Sequence, residues 1–151
     1  MNARIFITGS NKLKELNKFQ QNEIKQYLKE NNLILLKNNY DIDYQIQSLC
    51  NNEEYEKVYI FSLLHKPNKT INKKWNMMFV PPKNNNFDNT INEKIISICD
   101  YAIMIYDTQS QEDIFIMLKL ITMNKKIILL TENEKYILED KKDLSILNKY
   151  L

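Results

Sequence analysis

The stretch Ala3-Arg4-Ile5-Phe6-Ile7-Thr8-Gly9-Ser10 constrains the chain more than any other, because a β-branched and aromatic run ends there in the only glycine of the protein. A polar segment follows and opens a helical pattern. Short buried strand, glycine turn and helix is the opening unit of an open parallel sheet. In such sheets the ligand crevice lies beyond the carboxyl ends of the strands, which puts Gly9, Ser10, Asn11 and Lys12 at its mouth.

The rest of the chain repeats the alternation. Leu13, Leu16, Phe19, Ile24, Tyr27 and Leu28 recur at helical spacing, predicting a first helix that runs to about Asn31, where Asn31-Asn32 can close it in the left-handed conformation. Leu33 to Leu36 is a strand-length apolar run, and Lys37 to Asp41 is the loop after it. Asp43 is placed to cap a helix carrying Ile46, Leu49 and Cys50. Lys57 to Phe61 makes a third strand. Between Ser62 and Asn89 the alternation breaks into an excursion over the sheet edge, with a turn at His65, an isolated Trp75 and a short strand from Met77 to Val80. Ile91, Ile95, Ile96 and Ile98 then mark a helix, and Tyr101 to Tyr106 the most hydrophobic strand. A helix from Gln111 to Asn124, a last strand from Lys126 to Leu130 and a short terminal helix at Leu144, Leu147 and Leu151 complete the pattern. The prediction is one Rossmann-like α/β three-layer sandwich over residues 1–151, with a mostly parallel five-stranded sheet and a short extra strand in the 62–90 excursion. Arg4–Thr8 should be central, between Leu33–Leu36 and Tyr101–Tyr106.

Composition narrows the function classes. At 151 residues with 44% hydrophobic and 26% charged residues, the chain is long enough for one cored domain and unlike a disordered one. Its single glycine is far below the average of about 7%. Abundant Asn, Lys and Ile fit the codon bias of an AT-rich genome, and Asn is the usual substitute for Gly where φ must be positive. A net charge of +2 from 21 basic and 19 acidic residues does not advertise nucleic-acid binding, and Lys73-Lys74 reads as a solvated face. Cys50 and Cys99 lack a spacing motif and read as small core residues of a reducing compartment. With neither a signal-peptide pattern nor an apolar run of membrane length, the expected location is the cytoplasm, without a membrane partner. No metal and no cofactor is expected, since no Cys/His cluster has ligand spacing.

With these pieces placed, the chain resembles the SLOG superfamily of Rossmann-like nucleotide-binding proteins, in particular its small stand-alone members from phages and bacteria. Their opening I-F-I-T-G-S-R is matched by Ile5-Phe6-Ile7-Thr8-Gly9-Ser10, with the arginine lost and Asn11 then Lys12 in its place. Their second loop, I-L-V-G-D-x-x-G-x-D-x-x-V-Q, is matched by Ile34 to Asp43 and then Ile46-Gln47. Trp75, Phe87-Asp88 and Asp100-Tyr101 fall where the family has similar residues, and Asp107 and Ser110 hold their places in the fourth-strand motif. The similarity spans Arg4 to Leu130. It departs where the family needs glycine: Lys37 and Asp41 replace both glycines of the second loop, and Gln111-Glu112-Asp113 replaces P-G-T of the fourth. The family's phosphate cradle is thus expected to be dismantled, because side chains block the backbone approach and two carboxylates stand at a helix N-terminus.

The candidate ligand-binding residues are Gly9, Ser10, Asn11, Lys12, Asp43, Gln47, Trp75, Asp107 and Ser110. Asp43 and Gln47 lie one helical turn apart, as a hydroxyl-reading pair would, or else serve as a cap and a surface amide. Trp75 could stack on a base at the crevice rim or anchor a long loop. Asp107, Glu112 and Asp113 are the catalytic candidates, arranged as in nucleoside 2-deoxyribosyltransferases, where an acidic residue attacks the anomeric carbon and an aspartate assists the base. The plainer reading of Glu112 and Asp113 is charge complementing a helix dipole. On the Gln111 helix, Ile114, Met117, Leu118 and Ile121 make one stripe and Phe115, Ile116, Leu120 and Met123 a second, which predicts a homodimer with that helix crossing its copy. The resemblance implies a non-catalytic binding protein for a nucleotide-derived small molecule or a protein partner, in nucleotide signalling or a phage or bacterial conflict system. The alternatives are an N-glycosidic-bond enzyme and a ligand-free homo-oligomeric scaffold.

Overall fold

Strand β1 (Arg4–Gly9) pairs in parallel with β2 (Leu33–Lys37) on one side and β5 (Tyr101–Ile105) on the other, as its apolar run predicts. A computed structural model describes residues 2–29, 31–63, 71–81 and 87–150, the side chains of Phe87 and Asp88 excepted. The remaining strands are β3 (Val58–Leu63), β4 (Asn76–Val80), β6 (Lys126–Leu130) and β7 (Lys135–Leu138), in one seven-stranded sheet ordered β4-β3-β2-β1-β5-β6-β7. All neighbours are parallel except β6 and β7. Seven strands replace the expected five plus one. The short strand of the excursion pairs with β3, and β7 comes from a stretch with no strand signal beyond four residues. A turn in which Thr131 N–H donates to Glu134 C=O at 2.9 Å folds β7 back on β6, without the glycine or proline that marks most hairpins.

Alternation along the strands sends side chains to two cores. Ile5, Ile7, Ile34, Leu36, Ile103 and Ile105 pack under α1 (Lys18–Leu28) and α2 (Asp41–Asn52). Phe6, Leu35, Met104 and Tyr106 pack under α3 (Phe87–Ile98) and α4 (Gln111–Thr122). The result is a Rossmann-like α/β sandwich. Helix α1 starts later than its apolar spacing suggests, because Asn17 and Gln20 form a reciprocal capping box that fixes the N-terminus and leaves Leu13 and Leu16 in the preceding loop. Asn31 and Asn124 take φ of 59° and 61° after α1 and α4, the role expected of asparagine in a chain with little glycine.

Gly9 has no positive φ; a Cβ there would lie 2.7 Å from Ile42 Cγ1 and 3.3 Å from Ile105 O, so glycine is needed because α2 packs directly on the end of β1. Helix α4 is also rotated from its predicted faces: Leu120 is fully buried, Ile116 packs against the core, and Phe115, Leu118 and Met123 are exposed. The C-terminal 3₁₀ segment (Lys141–Tyr150) covers the flank of α4, with Leu147 in the same core as Met117, Leu120 and Leu138. His65, Pro82–Asn86 and Leu151 lie outside the described residues.

Gly9→Ala should destabilise the fold by about 1–3 kcal/mol through overpacking. In a double-mutant cycle read by denaturant unfolding, Ile42→Ala should cost less in the Gly9→Ala background than in the wild type. On α4, Leu120→Ala should cost about 2–5 kcal/mol. Phe115→Ser should stay within about 0.5 kcal/mol of wild type by the same measurement.

Candidate functional site

The strand order reverses direction between β1 and β5, and a cleft of about 750 Å³ lies beyond the carboxyl ends of β1 and β2, between α3 and α4. Gly9, Asn11, Lys37 and Tyr40 line its sheet end; Asn89, Asn92 and Ile96 of α3 form one wall, and Glu112, Asp113, Phe115, Ile116 and Lys119 of α4 the other. At the outer end Lys119 Nζ meets Glu93 Oε1 at 2.7 Å and ties the two helices together.

Ser10 organises the inner end. Its backbone N–H donates to Ile105 C=O at 2.9 Å, and its fully buried Oγ accepts the Asp107 N–H at 2.9 Å. The same hydroxyl donates to the Asp113 carboxylate in a close contact, with Ile105 C=O at 3.4 Å as the other acceptor in reach. Burial pushes the Asp113 carboxyl up to about 6; the bond from Ser10 opposes this, Asp107 and Glu112 add to it, and Lys37 opposes it. Both protonation states of Asp113 fit the site, because a protonated carboxyl can donate to Ser10 Oγ while the Ser10 proton turns to Ile105 C=O.

Asp107 does different work. Its Oδ1 accepts the N–H groups of Gln109 (2.9 Å) and Ser110 (2.8 Å), and its Oδ2 accepts from Ser110 Oγ at 2.6 Å. Burial raises its pKa, but these bonds outweigh it and hold the carboxyl below its ordinary value. The turn is tight enough to force Thr108 to φ 65°, a costly conformation for a β-branched residue that the Asp107–Ser110 bonds maintain. Asp43 repeats the device on α2, where its Oδ2 accepts the Asn39 and Tyr40 N–H groups at 2.9 and 3.0 Å. Asp43 is therefore the third residue inside α2 and caps it from there. The loops that enter α2 and α4 thus each have two backbone N–H groups bonded to a carboxylate of their own chain.

The other predicted residues divide. Gly9, Asn11, Glu112 and Asp113 reach the cleft, Ser10 lies directly beneath it, and Asp107 and Ser110 shape the loop beside it. Lys12 is exposed and is not part of the lining. Gln47 is a buried amide rather than a surface one: Nε2 donates to Lys37 C=O at 3.0 Å and Oε1 accepts the Ile71 N–H at 3.2 Å. With Asp43 it braces the loop instead of facing the cleft. Trp75 precedes β4 and so stands at the opposite end of the sheet, its Nε1 donating to Tyr55 C=O at 2.9 Å. It lines a separate hollow of about 570 Å³ with Tyr55 and Asn72.

Lys37 and Asn92 gain importance in the folded chain. Lys37 continues the alternation of Leu33 and Leu35 and emerges on the α3/α4 side. It is only 3% exposed; among the described residues its Nζ forms no ion pair, and it lies 5.8 Å from the Tyr40 ring. Asn92 is 8% exposed and its Oδ1 has no hydrogen-bond partner. The available signal was Asn92 standing one turn before Ile96 on an otherwise apolar helix face. Cys50 and Cys99 are buried, and burial raises their thiols to about 12 and about 11, as core cysteines should be. Among the described residues no cluster of three His, Cys, Asp or Glu could hold a metal, and no helix is long and apolar enough to cross a membrane. No protein-family model, curated protein or solved structure matches the chain.

Asp113 should make stability depend on pH. Its folded pKa lies above its ordinary 3.8, so the folded state holds the proton more tightly, and stability is lost as pH rises from about 4 through about 6. Asp113→Asn keeps the shape without the charge. Its unfolding free energy should gain on the wild type by roughly 2–4 kcal/mol between pH 4 and pH 7, measured by urea titration at each pH.

Proposed function

We propose that the protein binds a nucleotide-derived small molecule in this cleft and recognises its base and sugar rather than its phosphates. The observation that carries the reading is the state of the helix entries. In the loops before α2 and α4 the N–H groups are bonded to Asp43 or Asp107, while the cleft beside them offers Lys37, Asn92, Glu112 and Asp113. The cleft volume suits a nucleoside-sized ligand. The resemblance to SLOG proteins supports the same class of ligand and a role in nucleotide sensing. The carboxylates support binding over catalysis: Asp107 has both oxygens bonded within its own turn, and Asp113 is held by Ser10.

A glycosidic enzyme is the second reading, and the raised pKa of Asp113 favours it, since a carboxyl titrating at about 6 can act as an acid near neutrality. Self-association through the 111–124 helix would have to use Phe115, Leu118 and Met123, the large apolar residues it leaves exposed.

Titration calorimetry with nucleosides and their 5′-monophosphates tests the proposal. Nucleosides should bind, and the added phosphate should not tighten binding. Failure of every nucleoside to bind would overturn it, and base release abolished by Asp113→Asn would establish the enzymatic reading instead.

A further inference from the structure

Lys37 brings a buried cation to the cleft and leaves it without a counter-ion. The residue ends β2, where it pairs with Phe61 of β3 and its C=O accepts from Gln47 Nε2 at 3.0 Å, so the side chain departs from a fixed point of the sheet. It is 3% exposed, and among the described residues its Nζ makes neither an ion pair nor a hydrogen bond. The one contact of the ammonium is the Tyr40 ring, 5.8 Å away. Nζ is not one of the polar atoms sealed from solvent without a partner, and the residue lines the cleft, so the ammonium opens there. Lysine is seldom this buried unless paired, because an ammonium taken out of water needs an opposite charge to compensate.

We propose that Lys37 receives the carboxylate of a singly charged organic acid bound in the cleft, a site that stands independently of the nucleoside reading above. The ammonium carries three donors and can bond to both oxygens of such a group. The charges around it limit what it can hold. Asp113 and Glu112 share the cleft, and Lys37 acts on the Asp113 carboxyl from beyond ion-pair distance. One ammonium matches a single negative charge, whereas a doubly charged phosphate meets twice the repulsion from these acids. Phe115 and Ile116 on the α4 wall offer apolar surface to the body of the ligand. Binding is also coupled to a proton. Asp113 faces the Ser10 hydroxyl, the Lys37 ammonium, the Tyr106 phenol and the charges of Asp107 and Glu112. An anion at Lys37 disfavours the ionised form of Asp113, so affinity falls as pH rises through about 6, where that carboxyl loses its proton.

The test titrates the full chain with benzoate and with benzamide, followed by NMR. The two probes are flat and of similar shape, and only benzoate is charged. Benzoate should bind at least about tenfold more tightly than benzamide, and the ratio should be larger at about pH 5.5 than at about pH 7.5. Lys37→Met should bring the ratio toward one while its unfolding midpoint stays at or above the wild-type value, since the variant removes an unpaired buried charge. Equal affinities for the two probes, or no binding of benzoate, would overturn the proposal. A preference for benzoate that Lys37→Met leaves unchanged would overturn it as well, and a ratio that does not fall with pH would overturn the coupling to Asp113. Nucleosides take no part in this test, so its failure leaves the earlier reading standing.

Discussion

One hydroxyl joins the parts of this molecule that matter for its site. Ser10 Oγ lies where the loop after β1, the end of β5 and the first turn of α4 converge, and it bonds to a group from each of the other two. Without that contact the Asp113 carboxyl would be buried with no donor from its own chain, a state that burial penalises heavily. Serine suits the position because one small side chain both accepts and donates. Gly9 beside it allows the close approach of Ile42, so the last residue of β1 and the first after it set the distance of α2 and the position of α4.

The same economy of groups shapes the loops that enter α2 and α4. A helix N-terminus attracts anions because its first N–H groups have no partners within the helix. Asp107 and Asp43 each place a carboxylate at such an entry from a few residues away, and the bonds they make rigidify the loops. An anion at the N–H groups of Asn39, Tyr40, Gln109 or Ser110 would have to displace a tethered carboxylate. The walls of the cleft carry Lys37 from the sheet, Asn92 from α3 and Glu112 from α4.

The sheet's core was legible from sequence because each of its strands is a short apolar run between polar loops, and alternation along β1, β2 and β5 needs no long-range information. Strand β7 was not legible. Four residues with an exposed edge carry too little hydrophobic pattern, and only pairing with β6 makes them a strand. The faces of α4 were misread for a related reason. A helix apolar nearly all round has no preferred orientation by itself, and the 3₁₀ segment reaching in with Leu147 decided that Leu120 is core and Leu118 is surface.

The sequence by itself determined the parallel order around β1 and the asparagine turns that replace glycine. These are local properties: periodicity, allowed φ, and the presence or absence of a Cβ. Tertiary structure alone decided which polar residues meet. Ser10 and Asp113 are 103 residues apart in the chain and touch, whereas Trp75, placed by motif order at the crevice rim, lies at the other end of the sheet. Asn92 acquires its unpaired acceptor only when α3 and α4 close over the sheet, because burial, and with it the demand for a partner, exists only in the folded chain.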